Sequence, residues 1–153
     1  LKKYVKDGMD ILDVGTGSGI LGITALKLGA GHVFGTDLDE NAITAVHENL
    51  AANEIPKEKF DVLKGNIIDE KAVQDASGYE CYDIAVANIL ADVIILLQAE
   101  IAAHIKKGGL FITSGIIDMK EQAVLDAFAG NSAFEIVEVT RMGEWVSVTA
   151  RKK

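Results

Sequence analysis

Short apolar runs alternate along the chain with stretches of helical spacing. Met9–Val14 is an apolar run that ends at a glycine turn, the pattern of a buried strand. Ser18–Leu28 carries Ile20, Leu21, Ile23, Leu26 and Leu28 at largely helical spacing and is closed by Gly29. His32–Thr36 predicts a second strand. Asp39–Asn53 predicts a helix with Asp39 as its N-cap and Ile43, Val46 and Leu50 on one face. Phe60–Lys64 follows as a strand, Asp69–Ala76 as a short helix and Tyr82–Ala87 as a fourth strand. Asp92–Ile105 predicts a strongly apolar helix, with Asp92 placed to cap it and Gly108-Gly109 to stop it. Leu110–Ser114 is a fifth strand and Met119–Ala129 a further helix. The last two runs, Phe134–Thr140 and Trp145–Ala150, have only Arg141–Glu144 between them. That gap fits an antiparallel hairpin and not a helical crossover.

Repeated strand–helix units imply an α/β fold: a doubly wound, mostly parallel sheet with right-handed crossovers, ending in a C-terminal antiparallel hairpin. At 153 residues the chain fits one domain, residues 1–153, with no repeat or linker. No apolar run approaches the length of a membrane span. The formal charge is −8. The local basic excesses, Lys2/Lys3/Lys6, Lys106/Lys107 and Arg151–Lys153, read as solvated ends and turns, so direct nucleic-acid binding is not expected. Cys81 is the single cysteine, which excludes an internal disulfide and favours a cytoplasmic setting. His32, His47 and His104 stand singly, without metal-ligand spacing, and no metal site is expected.

Ligands of open α/β sheets bind at the carboxyl ends of the strands, near the point where strand order reverses. After the first strand lies Gly15-Thr16-Gly17-Ser18-Gly19, preceded by Asp13 inside the strand. Glycines there permit a tight turn and close backbone approach to a ligand, and the next helix offers free amide donors. After the second strand lies Asp37, 22 residues beyond Gly15, where a carboxylate can accept both hydroxyls of a ribose. Leu38 beside it offers an apolar wall for a purine. After the third strand come Asn66 and Ile67. Asn66 is either a reader of an adenine edge or a plain turn asparagine. After the fourth strand, Asn88 sets a polar group at the mouth of the sheet beside Ile89 and Leu90, where it could alternatively cap a helix.

The glycines leave two cofactor classes open. Gly17, Gly19 and Gly22 also match the dinucleotide pattern G-x-G-x-x-G, with Asp37 20 residues after Gly17, as in a nicotinamide-dependent oxidoreductase. Asp13, Asn88 and the closing hairpin count against it.

Leu12–Leu21 and Gly35–Asp39 resemble the first two motifs of class I methyltransferases, which implies a seven-stranded sheet whose last strand is antiparallel. More narrowly, Val86–Ala91, Thr113–Ile116 and Gly143–Val146 resemble the PrmA family, whose members methylate protein eleven of the large ribosomal subunit. That resemblance extends over essentially the whole chain. It implies S-adenosyl-L-methionine as cofactor, and lysine or N-terminal amines of a ribosomal protein as substrate. The loop from Asp13 through Gly15, Thr16, Gly17 and Gly19 would then meet the cofactor, with Asp37 on its ribose and Asn88 facing the methyl group. A monomer is expected. Another amine, a small molecule or nucleic acid remains an alternative substrate of the same fold. Family members usually carry an N-terminal substrate-recognition domain and an upstream glycine- and threonine-rich element, neither of which precedes Leu1 here.

Overall fold

Ile11 and Leu12 are neighbours in sequence and both fully buried, yet they pack into different hydrophobic clusters. Strand side chains alternate between faces, so two buried neighbours require a sheet covered on both sides. The computed structural model, which describes residues 1–153, has that form. Its elements in chain order are β1 (Asp10–Val14), α1 (Ile20–Lys27), β2 (His32–Asp37), α2 (Asn41–Ala52), β3 (Phe60–Lys64) and α3 (Lys71–Ser77). β4 (Tyr82–Asn88), α4 (Ala91–Ile101), β5 (Ile105–Ile117), α5 (Glu121–Ala129), β6 (Phe134–Met142) and β7 (Trp145–Lys152) complete them. One cluster gathers Ile11, Ile23, Val33, Val46, Leu50 and Phe60 beneath α1 and α2. The other joins Leu12, Ala85, Ile94, Leu97, Phe111 and Val148 beneath α3, α4 and α5. Phe111, Phe128 and Phe134 meet within it at ring separations of 5.7–6.0 Å.

The seven strands run in the order β3-β2-β1-β4-β5-β7-β6. Pairs among the first five are parallel; β7 is antiparallel to both β5 and β6. Strand order reverses between β1 and β4, which puts the switch point at the carboxyl ends of those two strands. The closing hairpin turns at Gly143-Glu144, with Gly143 at φ 61° in the first central position of a type II′ turn.

Two boundaries differ from the sequence reading. The apolar helix ends at Ile101, not Ile105, and tightens into a 3₁₀ turn over Ala102–His104. The Ala103 and His104 carbonyls are drawn off to accept the Glu80 and Cys81 amides, and Ile105 already pairs with Tyr82 as the first residue of β5. Gly108-Gly109 therefore stops no helix. Ile105 lies opposite Tyr82 and Leu110 opposite Ile84, so Lys106–Gly109 bulges out of the sheet. Asp92 lies one residue inside α4, makes no capping bond, and pairs with Lys120 at 3.5 Å. Asp39 acts as expected in substance, its Oδ1 accepting the Asn41 amide at 2.9 Å at the start of α2. Among the histidines, His104 is buried between Glu100 Oε2 at 2.8 Å and the Gly78 carbonyl, and His32 lies against Asp61 at 2.8 Å. Both serve the fold.

Candidate active site at the switch point

The loop after β1 is held by β2. The Gly15 and Thr16 amides both donate to the Thr36 carbonyl, at 2.8 and 3.0 Å. Gly15, Gly17 and Gly19 have φ values of 70°, 55° and 85°, the left-handed region that glycine enters without steric cost. At Gly15 a second constraint applies, since a Cβ there would stand 2.6 Å from Ile89 Cγ2. Gly22, the last glycine of the dinucleotide-like pattern, has a different reason. A Cβ at that position would run into the Phe60 ring, so its role is to seat α1 against the sheet.

Asp37 organises the crossing between the first two strands. Its Oδ2 accepts the Gly17 amide at 2.8 Å, and its Oδ1 accepts the Asp39 amide at 2.9 Å. Each oxygen keeps a lone pair for a further donor. Asp13 lies deeper, fully buried, with Oδ2 accepting the Thr16 hydroxyl at 2.7 Å. Burial pushes the Asp13 carboxyl up to about 7; the Thr16 hydroxyl and the Gly22 amide oppose that rise, and the Asp37 charge adds to it.

Two clefts meet at Gly15. One, of about 240 Å³, runs past Asp37 and Leu38 to Asn66 and Ile67, with Ile89 and Leu96 on its far wall. The other, of about 270 Å³, lies between Asp13, Thr16, Gly17, Ile20, Leu21 and Asn88. The first is apolar with a carboxylate at its edge, as a purine and its ribose require. The second is lined by polar loop atoms and suits a zwitterionic tail. The cradle that a Cβ at Gly15 would fill, together with this donor set, fits an S-adenosylmethionine spanning both. Asn66 proves to have a local task as well: its Oδ1 accepts the Ile68 amide at 3.0 Å, leaving only its NH₂ free to donate.

Asn88 ends β4, opposite Ser114. Its side chain is exposed and makes no hydrogen bond within the chain, unlike an N-cap. A third cavity, of about 340 Å³, joins it to Ser114, Gly115 and Trp145. Ser114 and Gly115 form a bulge opposite Ser147 alone, with Gly115 at φ 78°. A Cβ on Gly115 would collide with the Asn88 carboxamide oxygen. Beyond lies an apolar shelf of Leu90, Ile117 and Trp145. Gly115 and Trp145 were visible in the sequence only as parts of family-like segments. No periodicity marks them, because a strand bulge and a hairpin carry them to the mouth.

The family model for ribosomal protein L11 methyltransferase (PrmA) matches residues 1–153. The L11 methyltransferase of Lachnospira eligens is 61% identical over 153 residues, covering 100% of this chain and 48% of that protein. That of Agathobacter rectalis is 46% identical, covering 99% and 48%. The chain thus spans about half the length of the curated relatives it matches. Among solved structures, a ribosomal protein L11 methylase from Lactobacillus delbrueckii subsp. bulgaricus superposes with a TM-score of 0.87 at 34% identity, over 99% of this chain and 74% of that one. SMU.776, a putative methyltransferase complexed with SAH, shares the fold at a TM-score of 0.82 and 12% identity, over 98% of this chain and 47% of that one. The chain belongs to the ribosomal protein L11 methyltransferase (PrmA) family, with S-adenosylmethionine as its cofactor.

Proposed function

We propose that this chain is the cofactor-binding, catalytic domain of an enzyme that methylates lysine or N-terminal amines of ribosomal protein L11. The observation that carries this reading is the position of Asn88, whose carboxamide faces both the loop cleft and the Trp145 cavity. In this reading Asp37 holds the ribose hydroxyls, Leu38 and Ile67 enclose the purine, and the Asn66 NH₂ donates to a ring nitrogen. Asp13, Thr16, Gly17 and Gly19 shape the loop around the amino-acid end. S-Adenosylmethionine supplies a methyl group on a sulfonium, and the C–S electron pair stays with sulfur as a new N–C bond forms. The residues of this chain have to deliver a neutral amine in line with that carbon. A lysine amine, with a reference pKa of about 10.4, must shed its proton first. The apolar shelf favours the uncharged form. The Asn88 oxygen then accepts an amine N–H and aims the lone pair.

The loops at the carboxyl ends of the strands carry Asp39, Glu40, Asp69, Glu70, Asp92 and Asp118. Such an acidic rim attracts a basic protein. Every group of the clefts comes from one chain, which supports action as a monomer. The test is methylation of L11 by the complete enzyme, followed by mass spectrometry. Asn88→Ala is expected to lose turnover tenfold or more while S-adenosylhomocysteine affinity holds within twofold, by analogy with loss of a single positioning hydrogen bond. Unchanged turnover removes Asn88 from the chemistry; no methylation of L11 by the unaltered enzyme removes the substrate.

A further inference from the structure

Three basic segments that lie far apart in sequence converge in space. Lys3, Lys6, Lys106, Lys107 and Arg151 line one open trough of about 310 Å³, floored by Met9, Ile84 and Leu110. The antiparallel run of β7 is responsible: it sets Arg151 opposite Leu110, beside the Lys106–Gly109 bulge. Asp83 is the one acid among the lining residues and pairs with Lys106 at 3.3 Å. Lys3 pairs at 3.2 Å with Glu138, just outside the trough, and Arg151 donates to the Gly108 carbonyl at 3.1 Å. Lys6 and Lys107 are exposed and have no ion-pair partner. Five cations thus face two carboxylates, in a chain whose formal charge is −8.

We propose that this trough binds the phosphate backbone of single-stranded RNA. An open channel bordered mainly by lysines, flexible point charges without a fixed fork, suits a run of phosphates better than one enclosed anion. The Tyr4 ring lines the same trough and gives a base an aromatic face, as single-strand grooves commonly do. The net negative charge of the chain does not prevent this. The acids of the cofactor rim sit at the other end of the strands, and β1 alone, five residues long, separates the two ends by about 17 Å at about 3.3 Å per residue. That is roughly twice the screening length of about 8 Å at physiological salt. An RNA strand on the trough therefore feels the local lysines. The site lies away from the methyl-transfer clefts, so it holds RNA without presenting it as substrate, and it does not rest on the amine reading.

The test is fluorescence anisotropy of the 153-residue chain with a labelled oligouridine at two salt concentrations. Lys6→Glu/Lys107→Glu is expected to weaken binding about tenfold or more and to lower the slope of log affinity against log salt by roughly 1–2. Lys6→Gln/Lys107→Gln should fall between that variant and the unaltered chain. Lys64→Glu/Lys71→Glu, which changes net charge by the same amount elsewhere, should bind as the unaltered chain does. Equal weakening by both glutamate pairs, or no binding by the unaltered chain at low salt, overturns the proposal. So does displacement by polyglutamate at equal charge concentration, which would make the trough a docking face for acidic protein.

Discussion

The carboxamide oxygen of Asn88 rests against the α-carbon of Gly115, with no room for a β-carbon between them. Two strands thereby fix one polar atom at the mouth, and the bulge in β5 is the device that permits it. Gly115→Ala should displace Asn88 and lower turnover tenfold or more, with S-adenosylhomocysteine affinity by calorimetry nearly unchanged. The φ of 78° adds a stability cost of about 1–2 kcal/mol, visible in thermal melting. Normal turnover in Gly115→Ala would mean that Asn88 needs no such seat.

Gly15 and Ile89 form a second close pair, 2.6 Å from a would-be Cβ to Cγ2. Gly15→Ala is expected to weaken cofactor binding strongly and to lower the melting temperature. Adding Ile89→Ala removes the collision but not the left-handed backbone strain, so the double variant should recover part of the loss. A double variant no better than Gly15→Ala would show that strain, not the collision, dominates.

Asp37 holds two backbone amides as well as its expected ribose contacts. Asp37→Ala should cost about 1.5–3 kcal/mol in cofactor affinity through loss of charge-assisted hydrogen bonds. Asp37→Asn keeps an acceptor for one amide and should cost less. Calorimetric affinity equal to that of the unaltered chain would remove the ribose assignment.

Asp13 makes stability depend on pH in an uncommon sense. Its folded pKa of about 7 lies above the ordinary carboxylate value of 3.8, so the folded chain binds more protons than the unfolded chain between those values. Its contribution is intact below about pH 4 and is lost as pH rises to about 7. Glu121, held low by Arg141, Glu138, held low by Tyr4 and Lys3, and Asp75, held low by Lys71, work the opposite way. Asp13→Asn keeps an acceptor for the Thr16 hydroxyl. Denaturant melts should therefore show the variant gaining on the unaltered chain as pH rises from 4 to 7, by an amount on the order of a few kcal/mol at most. Parallel pH profiles would place Asp13 outside this linkage.

Much of the fold was legible because both faces of the sheet are buried and each strand reads as an apolar run. The glycine loop, Asp37 and Asn88 were legible because the carboxyl ends of strands are the places to look. The limits were local. Ala102–His104 favour a helix by propensity, but Glu80 and Cys81 draw off the carbonyls of Ala103 and His104. Gly108-Gly109 looked like a helix stop because nothing nearby in sequence reveals a bulge set by pairing with Tyr82 and Ile84. Gly17, Gly19 and Gly22 could not separate two cofactors, since Gly22 answers to Phe60, a residue 38 positions later. The basic segments looked like scattered ends because their meeting depends on the reversed direction of β7.

β7 follows β6 in the chain yet lies between β6 and β5 in the sheet. During synthesis, β5 therefore presents an open edge until residues 145–152 have left the ribosome, and β6 has nothing to pair with before then. Trp145 arrives with that strand. The mouth of the site is accordingly closed last, so a chain stalled before β7 would already own its glycine loop and Asp37 while lacking the wall against which a substrate is held.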